Sequence, residues 1–128
     1  MVIPYVKGIF TPYIYDLQKY KPESDSFCLS VEVIIGQENK EGEELFYLQI
    51  ASLAYLGEKI RESGSMFGHS YLIVNGFDYD NISETLGQYC RDAASNTWEE
   101  VSLKLRRVMD SEFTDYYDAH VRVTNSGS

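Results

Sequence analysis

The most regular feature of the sequence is an alternation of apolar and polar residues in two neighbouring segments. From Phe27 to Ile35 every second residue is apolar, with polar residues such as Glu32 between them. The same pattern returns from Leu45 to Ala51, and its core side comprises Phe46, Leu48 and Ile50. A period of two is typical of strands that bury one face. We therefore predict two half-buried strands.

The connection between these strands, GQENKEGEE, is highly charged and has glycine near both ends. Two alternating segments joined by such a connection are typical of an antiparallel hairpin. The tip of this hairpin is expected to be long, acidic and exposed.

Three later segments repeat apolar residues at helical spacing. Leu53, Leu56 and Ile60 follow Ser52, which can cap a helix start, and precede Gly64, which can end the helix. A second helix is predicted from the capping-box spacing of Asn81 and Glu84, and its apolar stripe comprises Ile82, Leu86, Tyr89 and Ala93.

The third helix is predicted in the stretch TWEEVSLKLRRVMDSEFTDYY, which contains the only tryptophan. Thr97 and Glu100 have capping-box spacing, and the basic run Arg106-Arg107 suits the helix dipole near the end. The apolar stripe comprises Trp98, Val101, Leu105 and Val108. This stretch therefore divides near Met109 into a capped helix and an acidic segment, in which Phe113 is expected to face inward.

Two further segments complete the predicted fold. Val2 to Phe10 favours strand but contains Pro4 and Gly8, which suits an edge strand. GHSYLIVN reads as a third strand ended by the Asn75-Gly76 turn. The order of elements predicts an α+β fold, with a small antiparallel sheet of about four to five strands and two to three helices packed on one face. The exposed edge at Val2 to Phe10 leaves a strand-paired homodimer open.

At 128 residues the chain is expected to form one domain, residues 1–119, followed by a polar, disordered tail, residues 120–128. No apolar run approaches the 18 residues that a membrane helix needs, and the start shows no secretion signal. We therefore expect a cytoplasmic protein without a membrane partner. Cys28 and Cys90 are expected to be buried free thiols.

The net charge of −9 is concentrated in three segments: 38–44, 78–84 and 110–118. They hold eleven of the 20 acids but only one of the 11 Lys and Arg residues. This distribution argues against direct nucleic-acid binding, which requires clustered basic residues. A basic protein is the better partner, although acidic surfaces also serve solubility alone.

Candidate catalytic motifs are weak. Asp110 and Glu112 form a D-x-E pair without the companions that a metal nuclease needs, and the segment from Asp78 lacks the Gly and Glu of a calcium loop. A Cys90–His69 nucleophilic pair would require the fold to bring the two residues together. We expect no enzymatic activity, no catalytic residue, no metal and no cofactor.

Five motifs in order, SFCLSVEVIIG, EELFYLQIAS, FGHSYLIVN, TWEEVSLKL and EFTDYY, resemble the immunity protein 8 family of bacterial polymorphic toxin systems. The resemblance covers roughly residues 10–117. It implies an α+β protein, encoded beside a toxin, that binds the toxin domain and protects the producing cell. Many such toxins are nucleases or other enzymes with basic clefts.

We therefore expect a toxin-binding immunity protein that presents acidic segments, with exposed tyrosines as anchors. The candidate contacts are Glu41, Glu43, Glu44, Asp78, Tyr79, Asp80, Glu112, Asp115, Tyr116 and Tyr117. The alternative is an adaptor or chaperone that holds a secreted effector without inhibiting it.

Overall fold

A computed structural model describes residues 1–113 of the chain. The elements in order are β1 (Pro4–Phe10), a 3-10 turn (Leu17–Lys19), β2 (Cys28–Gln37), β3 (Glu43–Ser52), α1 (Leu53–Ser63), β4 (Tyr71–Val74), α2 (Tyr79–Asp92), α3 (Trp98–Leu105) and β5 (Asp110–Ser111). The predicted α+β class is confirmed, and the predicted order of strands and helices is correct.

The five strands form one sheet in the order β1-β2-β3-β4, and β5 pairs with β3 on the same edge as β4. The pairs β1/β2, β2/β3 and β3/β5 are antiparallel, as predicted. The pair β3/β4 is parallel, because α1 carries the chain back along the sheet before β4 begins. β1 lies at the sheet edge, as its Pro4 and Gly8 indicated.

The core lies on one face of the sheet, where the alternating apolar residues of β2 and β3 meet α2 and α3. Val33, Ile35 and Phe46 are completely buried there. The helices contribute Ile82, Leu86, Cys90, Ala93, Val101 and Leu105. Burial of these side chains removes apolar surface from water, which is the main force that holds the helices on this face.

Helix α1 differs from α2 and α3 because it reaches the other face of the sheet. The side chain of Tyr55 contacts Cys28, which points away from the core side of β2. Of the predicted stripe only Leu56 is buried, whereas Leu53 is 67% and Ile60 is 45% exposed. The prediction that the helices pack on one face therefore describes α2 and α3. Ser52 ends β3 and caps α1 at once, so the helix starts at the end of the sheet.

The caps explain where the helices begin and end. Ser52 accepts a hydrogen bond from the Tyr55 amide at 3.2 Å, and Gly64 ends α1 in the left-handed conformation with φ 83°. Thr97 caps α3 as predicted, because its Oγ1 accepts a hydrogen bond from the Glu100 amide at 3.2 Å. Helix α2, however, begins at Tyr79 with Asp78 as its cap, three residues before the predicted capping box. Asp78 is a sufficient cap because its carboxylate already accepts from the Asn81 amide at 3.2 Å.

Within residues 1–113, no helix combines the length and the apolarity that crossing a bilayer requires.

Candidate functional site

The predicted acidic contacts separate into two groups at opposite ends of the sheet. Glu43 pairs with Gly36 at the hairpin end, whereas Asp78 follows Phe77, whose ring lies 6.2 Å from that of Phe27 at the start of β2. At about 3.3 Å per residue, these ends are about 30 Å apart. The two groups therefore cannot form one compact cluster.

At the hairpin end, the residue after β5, Glu112, is added to the exposed acids of the tip. Glu112 Oε1 accepts a hydrogen bond from the Leu45 amide at 3.0 Å, and its own amide donates to the Leu45 carbonyl at 2.9 Å. Glu41 and Glu43 are exposed close by in the tip. A residue 67 positions later in the chain is thus fixed beside the hairpin.

Glu44 does not belong to this exposed group, which corrects the expectation that the whole tip is surface. Glu44 is only 1% exposed. It lies two residues before Phe46 in β3, so both side chains point to the core face of the sheet. Oε1 accepts a hydrogen bond from Trp98 Nε1 at 3.1 Å, and Oε2 accepts from Ser102 Oγ at 3.0 Å and from Ser111 Oγ. Glu44 therefore ties β3 to α3 and β5.

A cleft of about 310 Å³ opens above this buried carboxylate. Its walls are Gly36, Gln37, Glu41, Gly42, Glu43, Glu44, Trp98 and Phe113. We call it the hairpin cleft. Phe113 at its rim is 41% exposed, so the expectation that Phe113 faces inward is wrong. The cleft combines exposed carboxylates with two aromatic side chains.

Lys7 offsets part of the charge at the hairpin cleft. Its Nζ donates to the Lys40 carbonyl at 2.8 Å and lies 4.0 Å from Glu43 Oε2. Such an exposed pair is worth little in stability, but it lowers the local negative potential below what the sequence suggests.

At the other end of the sheet, Asp78 and Asp80 are exposed, and Tyr79 is partly buried against the core. Asp78 already has a structural task as the cap of α2. The remaining predicted contacts, Asp115, Tyr116 and Tyr117, lie outside the described residues.

The sequence did not reveal a row of four side chains on the face of the sheet opposite to the core. Phe10 pairs with Glu32, Glu32 with Tyr47, and Tyr47 with Asp110, so one residue from each of four strands lies at the same level. We call this set the outer row. The alternation in β2 placed Glu32 on this face, but the partners of Glu32 depend on strand register.

The candidate Cys90–His69 pair is not assembled. His69 Nε2 lies 3.0 Å from Asp110 Oδ1 on the outer side of the sheet, whereas Cys90 is buried on the core side. Burial raises the pKa of the Cys90 thiol to about 12, and burial also raises the pKa of Cys28. Both shifts favour the neutral thiol, which is the weak nucleophile. Among residues 1–113, no group of three or more His, Cys, Asp or Glu side chains is arranged to hold a metal ion.

Comparison with known proteins gives one family. The family model of Immunity protein 8 matches residues 5–116. No curated protein and no solved structure matches the chain. The matched range includes every described helix and strand except Pro4, the first residue of β1, and the chain belongs to the immunity protein 8 family.

Proposed function

We propose that this chain binds the toxin domain encoded beside it in a bacterial polymorphic toxin system and neutralises it in a stoichiometric complex. As an immunity protein it has a toxin as its partner. We place the interaction in the cytoplasm of the producing cell, where such a toxin would otherwise act.

The observation that carries the mode of binding is the hairpin cleft. The exposed acids Glu41 and Glu43 line this cleft, and Glu112, which follows β5, is held next to Glu44 by its hydrogen bond from the Leu45 amide. Aromatic side chains and carboxylates are a composition that suits protein docking, because the rings supply contact area and the charges supply orientation. Trp98 and Phe113 provide the rings beside these carboxylates.

Charge favours a basic partner. The chain carries a net charge of −9, and complementary fields accelerate encounter with a positively charged protein. A toxin that acts on nucleic acid needs a basic cleft for its substrate. An acidic surface would compete for that cleft, so we propose a basic nuclease as the toxin class.

Asp78, Tyr79 and Asp80 form a second acidic edge about 30 Å away, which a large toxin domain could contact at the same time. We do not place Glu44 in contact with the toxin. Its buried carboxylate instead positions Trp98 and Ser111 through hydrogen bonds.

Co-expression tests the proposal. Cells that produce the toxin domain from the adjacent reading frame should survive when they also produce this chain, and the two proteins should co-purify one to one. Binding without protection would overturn neutralisation in favour of the adaptor role. Absence of both binding and protection would overturn both functions.

A further inference from the structure

The outer row alternates aromatic and acidic side chains across four strands: Phe10, Glu32, Tyr47 and Asp110. The register that creates this order depends on a bulge in β1 between Val6 and Gly8, after which Phe10 lies opposite Glu32. Neighbouring strands are about 4.8 Å apart, so the two carboxylates are separated by about 10 Å with the tyrosine between them.

The outer row is accessible to a partner. Phe10 is 41% and Tyr47 is 40% exposed, and the Asp110 side chain is 52% exposed. Within residues 1–113, α2 and α3 pack on the opposite face, and α1 contacts this face near Cys28 at one end. Two exposed rings on one sheet face, Tyr47 on a central strand and Phe10 at the end of the edge strand β1, are more than solubility requires.

Three members of the outer row, Glu32, Tyr47 and Asp110, line a cleft of about 410 Å³. Tyr13, which is 75% exposed, stands on one side of this cleft, and His69 stands on the other. No lysine or arginine is among the described residues that line it. Its fixed charges are therefore those of Glu32 and Asp110.

Asp110 is held in position by the loop before β4. The Asp110 amide donates to Ser70 Oγ at 3.3 Å, and Ser70 Oγ donates to the Tyr47 carbonyl at 2.7 Å. His69 Nε2 lies 3.0 Å from Asp110 Oδ1. These contacts hold the Asp110 backbone and one carboxylate oxygen, Oδ1, and so fix the direction of the side chain.

A carboxylate beside an aromatic ring is a good receptor for a guanidinium group. The carboxylate accepts two parallel hydrogen bonds from arginine, and the ring binds the flat face of the cation. The row places a carboxylate beside a ring twice, with Phe10 beside Glu32 and Tyr47 between Glu32 and Asp110. The two-bond arrangement applies to Glu32, because Asp110 Oδ1 already lies 3.0 Å from His69 Nε2. Lysine would use the charge but not the planar geometry.

We propose that the outer row is a docking surface for arginine side chains of the toxin domain, in addition to the hairpin cleft. This inference rests on the proposed function and names the chemistry of the partner's contact. The row lies on the open face of the sheet, so a toxin that covers it would reach the hairpin cleft only by wrapping around the sheet end.

Binding measurements with purified toxin domain test the row. Tyr47→Ala and Glu32→Gln should each raise the Kd about tenfold or more, as loss of an anchor does. Glu23→Gln is the matched control, because Glu23 is exposed in the loop before β2 and lies outside the three acidic segments and both clefts, and its Kd should stay within about twofold of the wild type. A thermal melt of each variant verifies that it is folded.

If the wild type binds the toxin and both row variants bind equally well, the inference is overturned while the proposed function stands. If the wild type does not bind, the proposed function fails instead. An NMR titration with a hexa-arginine peptide then tests the row alone. Amide shifts at Glu32, Tyr47 and Asp110 that exceed those with hexa-lysine support arginine docking, and equal or absent shifts overturn it.

Discussion

The indole of Trp98 donates a hydrogen bond to the carboxylate of Glu44 at 3.1 Å, although the two residues are 54 positions apart. The same carboxylate accepts from the hydroxyls of Ser102 and Ser111. All three donors are neutral, and they offset part of the cost of taking a carboxylate out of water. Trp98 is thus fixed by β3 at the floor of the hairpin cleft.

We predict that Glu44→Gln lowers the free energy of unfolding by about 2 kcal/mol, because an amide presents one acceptor oxygen where the carboxylate presents two. Glu43→Gln is the control. The Glu43 side chain is 54% exposed, and its Oε2 lies 4.0 Å from Lys7 Nζ, so this substitution should change the free energy of unfolding by no more than about 0.5 kcal/mol. Urea unfolding of both variants measures the difference. Equal stability of the two variants would contradict the role given to Glu44.

Gly36→Ala should also destabilise the fold. An added Cβ would lie 2.6 Å from the Gly42 carbonyl oxygen and 2.9 Å from Lys7 Cε, and the first of these is backbone that cannot easily withdraw. We expect a loss of about 2 kcal/mol. Gly57→Ala, inside α1, meets only Arg61 Nη1 at 3.6 Å and should stabilise by about 0.5 kcal/mol or more. A Gly36→Ala variant as stable as the wild type would show that the tip can shift freely.

The buried thiol of Cys90 predicts a pH dependence. Burial raises its pKa from 9.0 to about 12, so the unfolded chain releases this proton first as the pH rises above 9. The contribution to stability is therefore complete below pH 9 and is lost as the pH rises towards 12. Between pH 8 and 10 the loss should be about 1 kcal/mol.

Cys90→Ala isolates this effect from tyrosine and lysine titration. Denaturant unfolding at pH 8 and pH 10 should show a smaller decrease in stability for the variant than for the wild type. Parallel decreases would mean that Cys90 ionises equally easily in the folded and unfolded chains.

Association with the toxin domain should depend on ionic strength. Charges at the hairpin cleft act over a Debye length of about 10 Å at 0.1 M salt, so raising the salt tenfold should slow association by about tenfold. A double variant, Glu41→Gln with Glu43→Gln, should show a shallower salt dependence in stopped-flow measurements. If the association rate of the wild type does not depend on salt concentration, electrostatic steering does not contribute to toxin binding.

The strands β2 and β3 could be predicted because their pattern is local. Alternation from Phe27 to Ile35 requires only that one face be buried, and the structure buries that face. The same period placed Glu44 on the core side together with Phe46. Glu44 was nevertheless predicted to be exposed, because it is charged and has acidic neighbours. In the folded chain its carboxylate is buried and accepts hydrogen bonds from Trp98, Ser102 and Ser111.

The outer row could not be predicted, because each of its neighbours comes from another part of the chain. Phe10 reaches Glu32 only through the bulge in β1, and Asp110 reaches Tyr47 through a strand of two residues. Neither a bulge nor so short a strand leaves a periodic signal. A shift of one residue in either pairing would turn the side chain to the other face.

The late position of β5 in the chain has a consequence for biosynthesis. Phe46 and Tyr47 of β3 pair with β2 on one side and with Ser111 and Asp110 on the other, so one edge of this stretch stays open while the intervening residues are being translated. An open strand edge presents free backbone donors and acceptors and is prone to associate with other chains. The sheet of residues 1–113 is therefore complete only when synthesis has passed residue 111.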